Sequence, residues 1–319
     1  MTATVTISVI IPVFNGAETI AETLDSVLAQ TWQNWEIIVV NDGSTDSTQS
    51  VLEVYQQQHP NLGDRFQVLN FMNSGVSISR NRGVAAARGE YLAFLDGDDL
   101  WTPEKLERQW QALQDTPDAD VAYSFTAFID GAGHPLKEKI AKRHNGNVYE
   151  ALLLQNFLAS GSNPLIKRSA LEVVGEFAPD LHPAEDWDLW LRLSRRFAFV
   201  CVPQADVLYR KRSGSASDNI ALMRQQSLQI IERELHAPDY VFPPGFRKKV
   251  LGNCFQYFLF KSLERPLYSA KGWQALGFLL GVLRYDLGFM KRGKIFTIVI
   301  LKILKAIIWP RLDDRGRLG

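Results

Sequence analysis

A chain of 319 residues whose 35 Lys and Arg balance 35 Asp and Glu carries no net charge that would draw nucleic acid to it in bulk. Its 46% hydrophobic and 22% charged content excludes a disordered or low-complexity chain and fits one large domain, or a domain with an appendage. Two cysteines, Cys201 and Cys254, have neither metal-ligand spacing nor the number for a disulfide framework, and they point to a reducing, cytosolic setting.

Met1-Thr2-Ala3-Thr4-Val5-Thr6 carries no basic residue and leads straight into a strand, so a signal peptide is not expected. Ile7 to Val13 reads as a first buried strand that Pro12 should end, because proline cannot donate to a ladder. Asn15-Gly16 turns the chain. Ile20, Leu24, Val27 and Leu28 then follow helical spacing. Trp35 to Val40 is a second strand, broken at Asn41-Asp42-Gly43-Ser44-Thr45-Asp46, with a helix to follow through Val51, Leu52 and Tyr55. Phe66 to Met72 is a third strand, meeting Asn73-Ser74-Gly75 and a helical stretch from Ser77 to Arg88.

Tyr91 to Leu95 is a fourth strand. It is apolar without alternation, as suits a strand buried on both faces. It ends in Asp96-Gly97-Asp98-Asp99, and two acids spaced as Asp96 and Asp98 are can converge on one hard cation through oxygen ligands. Strand–helix alternation of this kind predicts a doubly wound α/β sheet. The Pro12–Asn15 loop, Asp42 and the acidic turn would all lie at strand carboxyl ends on one edge, where such sheets bind ligands. No Gly-x-Gly-x-x-Gly and no Gly-Lys-Ser/Thr loop is present, so neither a dinucleotide site nor a P-loop is indicated.

Thr102-Pro103 opens a helix to about Gln114. Val121 to Ile129 is a further strand, and Lys137 to Asn147 a polar loop near the site. A helix ends at Gly175. From Glu185 to Leu193 another helix puts Trp187, Trp190, Leu191 and Ser194 on one face, a core pattern, with Glu185 and Asp186 in its first turn, where acids also favour the helix dipole.

Five pieces in this order resemble the family 2 glycosyltransferases of GT-A fold. They are Val9 to Asn15, Val40 to Asp46, Asn73-Ser74-Gly75 with Ser79 to Gly83, Phe94 to Asp99, and Glu185-Asp186 through Arg192. The resemblance covers roughly residues 6 to 217. It implies that Pro12, Val13, Asn15 and Asp42 hold the nucleotide base, that Gly75 and Arg80 line the nucleotide pocket, and that Asp96 sits near ribose and metal. It further implies that Asp98 coordinates a divalent ion, Mn²⁺ or Mg²⁺, and that Asp186 is the general base on an acceptor hydroxyl. The family often carries a histidine where this chain has Arg212. Arginine cannot ligate a metal but binds phosphate in a bidentate way, so Arg212 is either a diphosphate contact or part of a solvated basic loop.

What is implied is an inverting, metal-dependent transfer from a nucleotide-diphosphate sugar, of the UDP class first, to a saccharide or lipid-linked acceptor in polysaccharide or cell-envelope glycan synthesis. A non-catalytic nucleotide-sugar-binding membrane scaffold is the alternative. A nucleotidyltransferase would want a basic, glycine-rich phosphate loop near the start of the chain, and there is none.

Residues 1–218 should form the catalytic domain and 219–319 a helical region. Helices are expected over 221–235, 245–263 and 270–289. The last segment, Lys294 to Pro310, is apolar but interrupted by lysines, and Lys291, Lys294, Lys302 and Lys305 fall within roughly 80° of one another on a helical wheel. A central lysine disfavours spanning by about 2.5–3.5 kcal/mol. Two readings follow: an amphipathic helix lying on the cytoplasmic membrane face, with Ile295, Phe296, Ile298, Val299, Leu301, Ile303, Ile307, Ile308 and Trp309 embedded, or a helix packed on the protein.

Overall fold

The computed structural model describes residues 6–136, 142–212, 218–264 and 267–308. Part of the expected polar loop (137–141), the end of the basic segment after Arg212 (213–217), the first five residues, and the tail from Trp309 lie outside them.

Four strands and three helices make the first half of the sheet: β1 (Ile7–Val13), α1 (Ile20–Leu28), β2 (Trp35–Asp42), α2 (Thr48–Gln58), β3 (Phe66–Phe71), α3 (Val76–Ala86) and β4 (Tyr91–Phe94). β1, β2 and β4 are buried along their whole length, which is why their sequences lack alternation. Parallel pairing orders them β3-β2-β1-β4. The strand order thus reverses at β1, and the crevice at its carboxyl end is where such sheets accept ligands. β1 runs one residue past Pro12. The β4 ladder stops at Ile10↔Phe94, so Pro12 faces a strand partner on the β2 side alone, and its missing N–H breaks no ladder. Gly83 of α3 sits on Ile10, where a Cβ would come within 2.3 Å of the isoleucine side chain; only glycine allows so close an approach of helix to sheet.

The sheet then becomes mixed. β5 (Leu100–Trp101), α4 (Lys105–Asp115), β6 (Ala119–Ile129), α5 (Tyr149–Leu154), β7 (Leu165–Lys167), α6 (Arg168–Val174), α7 (Glu185–Ser194) and β8 (Ala198–Arg210) complete eight strands in the order β3-β2-β1-β4-β7-β6-β8-β5. β7 and β5 are antiparallel to their neighbours, and β6 and β8 are parallel. This is the GT-A architecture. The thirteen residues of β8 have no counterpart in the sequence reading: exposed Pro203 and Gln204 interrupt the apolar pattern where the β6–β8 register shifts. Gly175 ends α6 at φ 82°, as expected.

A second compact unit comprises residues 153–155 and 217–319. It holds α8 (Ile220–Leu235), α9 (Phe246–Ser262), α10 (Ser269–Tyr285) and α11 (Gly293–Ile308). The stretch expected as one helix to residue 289 breaks at Asp286 into a short 3₁₀ turn, Leu287–Lys291. Phe258, Leu259, Phe278, Leu279, Val282, Phe289, Val299 and Ile303 form its core. The two readings of the last helix therefore divide its residues. Val299, Ile303 and Ala306 pack inward, whereas Ile298, Leu301, Leu304 and Ile308 are exposed. No helix among the described residues is long and apolar enough to cross a membrane.

Candidate active site

At the carboxyl edge of β1 and β2 two loops are stitched together. Asn15, in the left-handed region at φ 52°, accepts the Thr45 N–H (2.8 Å) and the Asp46 N–H (3.3 Å) on Oδ1, while its own N–H donates to Ser44 Oγ (2.9 Å). Asp42 is buried and accepts from Ser74 N–H (3.0 Å), Ser74 Oγ (3.1 Å) and Gly75 N–H (2.8 Å). The residue assigned to the base from sequence thus holds the turn before α3, with Gly75 at φ 92°. Pro12 and Val13 form a buried floor, and Phe14 and Phe71 stand exposed at the rim, Phe71 beneath the Arg82 guanidinium at 4.0 Å.

In the acidic turn the three carboxylates part company. Asp99 is fully inside: it accepts from Ser162 Oγ (2.6 Å), Ser160 Oγ (3.1 Å) and the Arg210 N–H (2.9 Å). Asp96 takes a 2.6 Å contact from Arg80 Nη2, and its N–H donates to Ser162 Oγ (3.0 Å). Asp98 keeps a side chain 40% exposed, its Oδ2 lying 3.7 Å from Arg212 Nε. Burial, then repulsion from Asp96, pushes the Asp98 carboxyl up to about 6 against the pull of Arg212 and Arg210. The pair suits a hard divalent cation. Both donors are carboxylate oxygens, their mutual repulsion would be relieved by a positive charge, and no third metal-ligating side chain joins them among the described residues. The remaining positions would fall to water and ligand oxygens.

Arg80 links this turn to α7. Its guanidinium, 2% exposed, donates through Nη2 to Asp96 and through Nη1 to Glu185 Oε1 (2.8 Å). Rather than lining a pocket as an open cation, Arg80 is a buried strut. Burial opposes charge on Glu185, yet the His182 hydrogen bond and Arg80 hold it at about 2. Asp186, next to it, takes the opposite shift: burial and the Glu185 charge push it up to about 7, while Arg80 pulls the other way. Two adjacent carboxylates with pKa values driven apart are the arrangement that assigns acid–base roles. Trp190 is core, as its periodicity predicts.

Arg210 closes the other side. It donates to the Asp98 carbonyl (2.8 Å), to the Gly131 carbonyl (3.0 Å) and to Glu22 (2.6 Å). With Lys211, Arg212, Glu18 and Glu22 it lines an open cleft of about 490 Å³. Sequence reasoning missed Ser160, Ser162 and Arg210, and read Glu185 as a first-turn acid of the motif without its bond to Arg80. The one signal available was a polar run, Ser160-Gly161-Ser162-Asn163, directly before an apolar strand.

The profile of glycosyl transferase family 2 matches residues 8–175. TuaG of Bacillus subtilis, described as a "putative teichuronic acid biosynthesis glycosyltransferase", is 33% identical over 218 residues, 67% of this chain and 82% of its own. An uncharacterised glycosyltransferase of Rickettsia typhi is 36% identical over 193 residues, 59% of this chain and 58% of its own, so the match spans little more than half of that relative. Among solved structures, the mannosyltransferase PcManGT of Pyrobaculum calidifontis, in complex with GDP-Man and Mn²⁺, superposes with TM-score 0.62 at 18% identity, covering 97% of this chain and 88% of its own. TarS 1-349 of S. aureus in complex with UDP-GlcNAc gives 0.55 at 20% identity, covering 95% and 81%. Family profile, relative and site motifs agree, and the chain belongs to glycosyltransferase family 2.

Proposed function

We propose that the protein is an inverting glycosyltransferase that moves a sugar from a nucleotide-diphosphate donor, UDP-sugars first, to a hydroxyl of a saccharide or lipid-linked acceptor in cell-envelope glycan synthesis. The observation that carries this reading is the Arg80 strut: it fixes the acidic turn at the end of β4 and the first turn of α7 in one charged framework. The two ends have different chemistry, with Asp96 and Asp98 toward the diphosphate and Asp186 toward the acceptor.

The acceptor oxygen attacks the anomeric carbon, the bond to the β-phosphate oxygen breaks, and the nucleoside diphosphate leaves. One displacement inverts the centre. Asp186 takes the acceptor proton, and a base raised to about 7 matches that task near neutral pH. A divalent cation held by Asp98 and Asp96 would neutralise charge on the leaving diphosphate. Without such a cation, a phosphate about 4 Å from one of these carboxylates meets roughly 4 kcal/mol of repulsion at an effective dielectric of 20. Arg212, whose Nε lies 3.7 Å from Asp98 Oδ2, would meet phosphate oxygens in place of the family's histidine. Phe14 and Phe71 offer apolar faces for a base. A peripheral position on the cytoplasmic membrane face, through the basic, apolar C-terminal helices, would suit a lipid-linked acceptor.

Calorimetric titration with uridine, guanosine and thymidine diphosphate sugars, with and without Mn²⁺ or Mg²⁺, tests the reading. Cation-dependent binding of one class, with slow release of the nucleoside diphosphate, is expected. Binding without any release under all conditions would favour a scaffold.

A further inference from the structure

Helix α11 has three sides, of which two are occupied among the described residues. Toward α10, Gly272 lies so close that a Cβ there would come within 2.8 Å of Ile307 and 3.0 Å of Ala306. Toward α9, Ile295, Ile298 and Lys302 line a small groove with Phe260 and Leu263. The third side carries Leu301, Leu304 and Ile308, 60%, 46% and 71% exposed. At 100° per residue they fall within roughly 60° of one another, on the flank nearer α10.

α10 extends the same surface. Trp273 and Leu280 stand seven residues apart on one helix face and are 60% and 62% exposed. Trp273 follows Gly272 directly, which sets it beside the C-terminal end of α11 and Ile308. Gly277, between Trp273 and Leu280 on that face, has nothing near its missing side chain. Exposed apolar side chains thus stand on both helices that meet at Gly272, with exposed Arg284 at the far end of the α10 face.

The charge beside these side chains has one sign. Lys294 and Lys305 lie within about 20° of each other on the wheel, on the flank of Leu301, Leu304 and Ile308 away from α10. From Ser269 to Ile308 seven Lys or Arg stand against a single acid, Asp286, and that acid is paired with Arg292 at 3.2 Å. A second copy of the chain is a poor occupant, because a two-fold contact would set this basic flank against itself. An anionic bilayer satisfies both features. Apolar side chains enter the acyl boundary while the lysines stay among phosphate headgroups.

We propose that the α10–α11 seam, through Trp273, Leu280, Leu301, Leu304 and Ile308 with Lys294 and Lys305 alongside, is the surface that docks the protein on anionic lipid. This rests on the peripheral-membrane reading above; of the helix face read from sequence it keeps Leu301 and Ile308, drops Val299 and Ile303, which are spent on the core, and adds Leu304, Trp273 and Leu280.

Sedimentation of the full chain with vesicles of phosphatidylcholine, with or without phosphatidylglycerol, tests it. The protein should partition onto the phosphatidylglycerol vesicles. Leu301→Ser with Leu304→Ser should weaken partitioning about tenfold or more, with an unchanged thermal melt. Val54→Ser, an exposed apolar site on α2, should change nothing. Wild-type emission minus that of Trp273→Phe should shift to the blue on vesicles. If the full chain binds these vesicles but the double variant binds as well, the seam assignment is wrong and the membrane reading stands. If the full chain ignores anionic vesicles, both fall. If light scattering shows an oligomer that the double variant dissociates, the seam is a subunit interface and the proposal is overturned.

Discussion

Arg80 Nη2 lies 2.6 Å from Asp96 Oδ1, and the other arm of the same guanidinium reaches Glu185 at 2.8 Å. One buried cation therefore ties Asp96, on the proposed donor side, to Glu185, the neighbour of the proposed base Asp186. Truncating it leaves buried Glu185 with His182 alone beside it and takes the cation away from the part-buried Asp96. Arg80→Ala should lose about 3–5 kcal/mol of stability, the usual cost of breaking a buried pair. Arg80→Lys should recover only part of it, since one ammonium cannot span the fork. Urea unfolding of the three proteins checks this; equal midpoints would mean the strut carries no structural role.

Gly161 stands against that strut. A Cβ there would come within 2.7 Å of Arg80 Nη2, an arm that cannot swing freely while Asp96 holds it. Gly161→Ala should displace Arg80 and with it Asp96. A stability loss of about 1–3 kcal/mol is expected from overpacking, with weaker cation-dependent donor binding. A variant that melts and binds donor like the parent would show that the Arg80–Asp96 contact yields at no cost.

With Asp186 as the proposed base, its protonation should set the pH dependence of turnover. Its raised value of about 7 means that the ionised, proton-accepting form is about half populated at pH 7 and falls tenfold per unit below it. Turnover at saturating donor should therefore rise with pH through about 7 and level off above. The acid limb should vanish in Asp186→Asn. A profile flat from pH 6 to 8 in the parent enzyme would place the base elsewhere.

Much of this site is written in consecutive residues. Asp96, Asp98 and Asp186 sit in short motifs whose meaning survives without tertiary contacts, and β1, β2 and β4 announce themselves as unbroken apolar runs. What the sequence conceals is long-range. Arg80 reads as a pocket cation because nothing local says that Asp96 and Glu185 will close on it. Ser160 and Ser162 look like loop serines until the fold brings them, some sixty residues along the chain, onto Asp99. Glu185 reads as a helix-dipole acid, and its bond to Arg80 depends on α7 meeting α3. β8 is hidden by Pro203 and Gln204, which fall where the strand bulges. In α11 the wheel shows an apolar face and a lysine flank, but not which apolar residues the helix will spend on α9 and α10.

The measurement closest to the central claim is turnover per bound donor in Asp98→Ala and Asp186→Asn, with Mn²⁺ present. The account predicts two different failures in folded proteins. Asp98→Ala should lose cation-dependent donor binding in a protein that still folds, since its half-buried side chain sits in the turn at the end of β4, beside Arg212, and not in the apolar core. Asp186→Asn should bind donor like the parent while turnover falls by about 10²–10⁴. Parent-like turnover in either variant would contradict the assignment, as would collapse of donor binding in Asp186→Asn with turnover per bound donor intact.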